Sequence, residues 1–134
     1  ELGEALAAKQ DEQETSTSTA TTVTPARQQF HPSAAKAWAS FNAAGTLLAS
    51  YNTTSVAKNA AGDWTITIGT DFSSVNYAVL AWGGHIGGAT QLIYYCTAQT
   101  AGTFSVNAIR RDTGVLADPD TPNAIYFVAF GDQA

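Results

Sequence analysis

The chain has 134 residues, about the length of one domain, and only 13% of them are charged, against about 25% in an ordinary soluble domain. Its net charge of −5 is concentrated at one end, because all four glutamates (Glu1, Glu4, Glu12, Glu14) lie at the N-terminus, and its only adjacent basic pair is Arg110 with Arg111. That excludes a nucleic-acid binder, which needs a basic stripe against phosphates. Cys96 is the single cysteine and excludes an internal disulfide. With neither a basic-then-apolar leader nor an apolar stretch near the roughly 20 residues that span a bilayer, no membrane insertion is expected.

From the N-terminus, Glu1 to Glu14 has helix-forming composition with Leu2 and Leu6 four apart, so a short helical stem is expected. Two leucines cannot hold a lone helix, since nucleation is costly. Leu2 and Leu6 are therefore candidate self-association residues of a stem. Thr15 to Thr24 is a Thr/Ser/Ala tract without core-forming side chains, and Pro25 and Pro32 disfavour helix at the residues before them. The expected division is a helical stem and Thr/Ser-rich arm over 1–32 and a β-sandwich head over 33–134.

Beyond Ala35 the hydrophobic period becomes two. Asp63 to Ile68 is the plainest case, with Trp64, Ile66 and Ile68 on one face and Thr65 and Thr67 on the other. Similar runs at Lys36–Asn42, Thr46–Asn52, Val75–Trp82, Gln91–Ala98, Thr103–Arg110 and Ala124–Phe130 complete about seven strands, which predicts an all-β, antiparallel sandwich. Ala43-Ala44-Gly45 and Asn59 to Asp63 read as hairpin turns. Gly83 to Gly88 and Asp112 to Asn123 read as longer loops.

Two runs, Tyr77 to Trp82 and Ile125 to Phe130, carry apolar or aromatic side chains at both parities. A sheet with one wet face should alternate, so something covers the second face. The stem and arm are poor in large apolar groups, which favours a neighbouring copy over the alternative of central strands lying under long loops. Tyr77, Val79, Leu80, Trp82, Tyr126, Phe127 and Phe130 are the candidate interface residues, and which face is core stays open at this stage.

A series of short motifs adds a resemblance. Gln13-Glu14 leads through a Thr-rich spacer to Val23-Thr24-Pro25 and His31-Pro32-Ser33-Ala34-Ala35-Lys36-Ala37-Trp38. Phe41-Asn42, Gly45-Thr46, Ser50-Tyr51-Asn52 with Ser55, Gly62-Asp63-Trp64-Thr65 and Asn76-Tyr77-Ala78-Val79 follow in order. Over most of Gln10 to Leu80 the chain resembles the distal module of tail fibres and related appendages of tailed phages and prophages. The last fifty residues resemble it only in character. The segment Asp11 to Thr22 departs from the family in being richer in Thr and Ser and lacking its usual glycine. The resemblance implies a homotrimeric virion component, assembled in the host cytoplasm, whose N-terminus joins other virion proteins and whose head meets a host-surface glycan or protein.

Catalytic chemistry is thin in this sequence. His31 and His85 have no carboxylate or cysteine at metal-ligand or triad spacing, and His31, before a proline, suits a structural hydrogen bond. Asp63, Asp71, Asp112, Asp118, Asp120 and Asp132 fall at turns or loops. Asp118-Pro119-Asp120 with Asp112 lacks the ligand spacing of a calcium loop, and the 83–88 glycines lack the Lys-Ser/Thr ending of a phosphate cradle. No enzyme activity, metal or cofactor is expected. Candidate receptor contacts are Gly84, His85 and Ile86 in one loop and Asp118 and Asp120 in the other. Trp38, Trp64 and Trp82 keep a free-standing carbohydrate-binding sandwich in play as an alternative, and a polysaccharide depolymerase fragment as a more distant one.

Overall fold

Alternation of large apolar and small polar side chains produces eight strands: β1 (Ala37–Asn42), β2 (Leu47–Tyr51), β3 (Thr53–Ala60), β4 (Asp63–Ile68), β5 (Ala78–Gly83), β6 (Leu92–Thr97), β7 (Thr103–Arg110) and β8 (Ala124–Phe130). The computed structural model describes Pro25 and residues 28–87 and 90–134. The expected N-terminal helix, with Leu2 and Leu6, lies outside the described residues. The chain divides into two units, Glu1–Ala35 and Lys36–Ala134. In the first, Gln28–Phe30 forms one 3₁₀ turn. There His31 Nδ1 accepts from the Ser33 N–H at 3.2 Å and lies 2.6 Å from Ser33 Oγ.

The second unit is a β-sandwich of two antiparallel four-stranded sheets. The first has the order β2-β1-β8-β5 and the second β3-β4-β7-β6. The strand not foreseen is β3. Its sequence, Thr-Thr-Ser-Val-Ala-Lys-Asn-Ala, lies at a sheet edge and turns only Val56 and Thr53 partly inward, so burial imposes almost no pattern on it. An edge strand with a lysine and small polar residues is also what keeps an edge from pairing with another chain.

Between the sheets, Ala37, Ala39, Phe41, Ile125, Phe127 and Ala129 from the first meet Trp64, Ile66, Ile68, Phe104, Val106 and Ala108 from the second. The alanines of β1 and β8 leave room for aromatic rings that cross the interlayer. Phe41 meets Trp64 edge-on at 5.9 Å and Phe104 meets Phe127 at 5.0 Å, the geometry that ring quadrupoles favour. Trp64 is fully buried, and its indole N–H donates to the Ala43 carbonyl at 3.0 Å. One core side chain thus fixes the β1–β2 turn from below.

The two sheets join at a corner where β2 passes into β3. Asn52 sits there with φ 49°. Its side-chain amide donates to the carbonyls of Lys36 (2.9 Å) and Thr70 (3.2 Å), and its oxygen accepts from the Thr70 N–H (2.6 Å). Glycine takes the positive φ in the β1–β2 turn (Gly45, φ 86°) and the β3–β4 turn (Gly62), whereas after β6 it falls on Ala98 (φ 49°). Gly62 (φ 67°) is also so close to the backbone of Ala108 and Ala117 that a Cβ would lie 2.5 Å from each.

Candidate functional site

Pairing registers place the outward side chains of the first sheet in two rows across all four strands. One runs Leu80–Val128–Trp38–Tyr51 and the other Trp82–Tyr126–Ser40–Ala49. Trp82 and Tyr126 stack with ring centroids 5.6 Å apart. Trp38, Ser40, Trp82, Tyr126 and Val128 line a shallow cleft of about 320 Å³. Leu80 is 63% exposed, Trp82 50%, and Trp38 and Tyr126 close to 40%. None of the four strands contains a charged residue. A solvent-facing sheet normally sets polar side chains opposite its buried ones; this one sets aromatic and aliphatic groups on both sides.

The outer face of the second sheet has the opposite character. Thr65, Thr67, Ser105 and Thr97 stand along it, and its polar groups bond sideways to one another. Asn59 donates to Thr65 Oγ1 at 2.8 Å, Thr97 Oγ1 to Asn107 Oδ1 at 2.7 Å, and Asn107 to Asp63 Oδ1 at 3.1 Å. Asp63, expected at a turn, is the first residue of β4 and serves this network.

The structure sorts the candidate interface residues into two groups. Leu80, Trp82 and Tyr126 lie on the outer face of the first sheet, with Phe130, half-buried, in register beside Ala78. The expectation of an interface role for Tyr77, Val79 and Phe127 is corrected, because these point between the sheets. Phe127 is 1% exposed, Val79 packs on the core, and Tyr77 stacks on Phe72 at 3.9 Å while its hydroxyl donates to the Thr100 and Thr103 carbonyls. Trp38 and Val128 belong to the outer face and are not among the interface residues expected from sequence. Both occupy the parity opposite to the buried alanines of their own strands, a sorting that needs the strand register.

The candidate contact loops are brought together. The His85 carbonyl accepts from the Asp120 N–H (3.1 Å) and the Asn123 side-chain amide (3.0 Å), and the Asp120 carboxylate accepts from the Gly87 N–H. Tyr94 donates its hydroxyl to the Gly84 carbonyl at 2.8 Å. Gly83 and Gly84 were expected to give a flexible loop, but their role is close packing. A Cβ on Gly83 would lie 2.8 Å from the Tyr94 ring, and one on Gly84 2.1 Å from the Asn123 Cβ. The His85 side chain is exposed and Ile86 half-buried. Asp118, by contrast, is a brace: it pairs with Lys58 and accepts from the Gly62 N–H at 2.8 Å, tying the loop to the β3–β4 hairpin. Among the described residues, no group of three or more His, Cys, Asp or Glu side chains is placed to hold a metal.

Cys96 is half-buried on β6, and burial pushes its thiol up to about 11. Burial likewise raises the Tyr94 phenol, with a smaller push from Asp118. These are marks of packing. No family model, curated protein or solved structure matches the chain.

Proposed function

We propose that the chain is a non-enzymatic, self-associating β-sandwich module of a tailed-phage fibre or related virion appendage, which assembles as a homotrimer and presents its loop end to the host surface. The observation that carries this reading is the uncharged, aromatic outer face of the first sheet. Each of Leu80, Trp82, Trp38 and Tyr126 is roughly half exposed, and full burial of such a side chain is worth about 1.5–3 kcal/mol. Covering the four therefore stabilises an assembly by about 1 kcal/mol or more per side chain.

The direction of the chain supports the same reading. Ala37 pairs with Ala129 and Asn42 with Ala124, so β1 starts at the end of the sandwich where β8 finishes. It runs toward the end holding the 83–87 and 117–123 segments. A module whose β1 begins at one end and whose joined loops lie at the other suits a fibre head with the loops toward a host glycan or protein, and the N-terminal segment is the part proposed to join other virion proteins. A free carbohydrate-binding module fits the cleft less well. Sugar sites combine apolar walls with several placed polar groups, and besides the indole N–H groups of Trp38 and Trp82 the lining residues offer only the Ser40 hydroxyl and the Tyr126 phenol.

Light scattering of the full chain after size exclusion tests this. The expected mass is about three times the 14.0 kDa of one copy, and Leu80→Glu is expected to return it to one copy without loss of cooperative unfolding. A wild-type chain with the mass of a single copy refutes the proposal.

A further inference from the structure

A ring of identical copies needs two different surfaces on each copy, because rotation carries one patch onto the other; a single self-complementary patch yields a two-fold dimer instead. The outer face of the first sheet is one such surface. The second sheet is polar along most of its outer face, but its character changes at the loop end. There Ile93 of β6 is paired with Ile109 of β7, and Ile109 is bridged on its other side to Leu116. Ile93 is 47% exposed and Val115, beside Leu116, 59%. The row exists because the chain turns back after Gly114 (φ 69°) and runs along β7. The Arg110 N–H donates to the Val115 carbonyl at 2.8 Å and the Ala117 N–H to the Ala108 carbonyl at 3.0 Å. This segment takes the flank of β7 just beyond the point where the β3–β4 turn reaches Ala108.

We propose, resting on the self-association reading above, that the Ile93–Ile109–Leu116 ridge of one copy seats in the Trp38–Trp82–Tyr126 cleft of the next. Two observations select this occupant. The first is level. Trp82 is the second-last residue of β5 and Tyr126, its pairing partner, the third of β8, while Ile93 is the second of β6 and Ile109 the second-last of β7. Cleft and ridge thus stand at the same end of the sandwich, on opposite sheets, and rotation about an axis along the strands brings them together without sliding. The second is chemistry. The cleft offers few polar groups, so a charged or sugar-like occupant would lose its hydration without replacement, whereas aliphatic side chains lose nothing. Arg110, adjacent to Ile109, is already engaged by the Asp112 carboxylate at 2.9 Å, which leaves the ridge itself uncharged.

The test uses full chains carrying Leu80→Glu, which spoils the cleft face, or Ile93→Glu, which spoils the ridge. Both sites are about half exposed or more, so folding should survive; Leu80→Thr and Ile93→Thr, compatible with strands, replace them if circular dichroism shows it does not. Each variant alone is expected to fall about threefold in mass to a single copy. Mixed together they are expected to associate one to one, since each retains the surface the other lacks. If Ile93→Glu keeps the wild-type mass while Leu80→Glu loses it, a surface other than the ridge covers the first-sheet face; the ridge-in-cleft arrangement is then overturned and self-association survives. A mixture that stays at single-copy mass also overturns the arrangement. A wild-type chain that is itself a single copy overturns both readings.

Discussion

Asn52 offers the sharpest test of how the sandwich is held, because one side chain there does two separable things. It occupies a left-handed backbone position (φ 49°) and makes three hydrogen bonds to Lys36 and Thr70. Asn52→Ala loses the bonds, at about 1 kcal/mol each, and forces a Cβ-bearing residue with no compensating amide into a conformation that costs about 1–2 kcal/mol. The expected loss is about 4 kcal/mol. Asn52→Gly loses the same bonds without the backbone penalty, so it should be destabilised by about 1–2 kcal/mol less than the alanine variant. Urea unfolding followed by tryptophan fluorescence, in the Leu80→Glu background to uncouple folding from association, measures both. With a slope of about 2 kcal/mol per molar, the midpoint should fall by about 2 M for alanine and distinctly less for glycine. Equal midpoints for the two variants would refute the backbone argument, and a fall below about 0.5 M in both would refute the claim that Asn52 locks the corner.

Two further outcomes follow from the buried polar groups. Burial, with the nearby Cys96 and Asp71 adding to it, raises the Tyr77 phenol to about 12 from its usual 10. Its contribution is therefore fully present below pH 10 and is lost as pH rises from 10 through about 12. Tyr77→Phe, which removes the hydroxyl donor from the Thr100 carbonyl while the Thr103 carbonyl keeps the Thr100 N–H, should cost about 1 kcal/mol at pH 7 and flatten the decline in stability above pH 10; an unchanged alkaline decline counts against Tyr77 as its source. Cys96, with its thiol held up to about 11, should react with a disulfide reagent at pH 8 only slowly in the native chain and rapidly in urea, and equal rates would show that β6 does not shield it.

How much of this was legible in the sequence follows from what burial does to each strand. β4, with Trp64, Ile66 and Ile68 inward and threonines outward, is written in the period-two pattern. β3 was invisible because an edge strand that buries almost nothing needs no pattern. The doubly apolar runs were readable as an anomaly, but their faces could not be sorted without register. Only the pairing of Leu80 with Val128 and of Val128 with Trp38 shows which parity faces outward. The ridge at Ile93, Ile109 and Leu116 was beyond reach, since it joins three segments that are not contiguous in the chain through a single isolated bridge. The glycines at 83 and 84 were seen, but their reason lies in Tyr94 and Asn123, which approach from elsewhere in the fold.

A charge-free sheet is a hazard for any protein, because its edges can recruit strands from other chains. The β5 edge has neither lysine nor proline to blunt it. The fold guards it from its flanks instead. Near its start the Gln99 amide donates to the Val75 and Tyr77 carbonyls (2.8 and 2.7 Å), and near its end the Tyr94 hydroxyl donates to the Gly84 carbonyl. At the opposite edge of the same sheet, Thr53 Oγ1 lies 3.2 Å from the Trp38 and Tyr51 carbonyls as the chain turns the corner into β3. Side chains of β3, β6 and the β6–β7 turn thus occupy carbonyls beside the β2 edge and on the residues that flank β5, while the broad face between them is left apolar and open. Growth by strand addition is opposed at the edges and association through the face is not, which is the distinction a module needs if its copies are to close on one another rather than extend without limit.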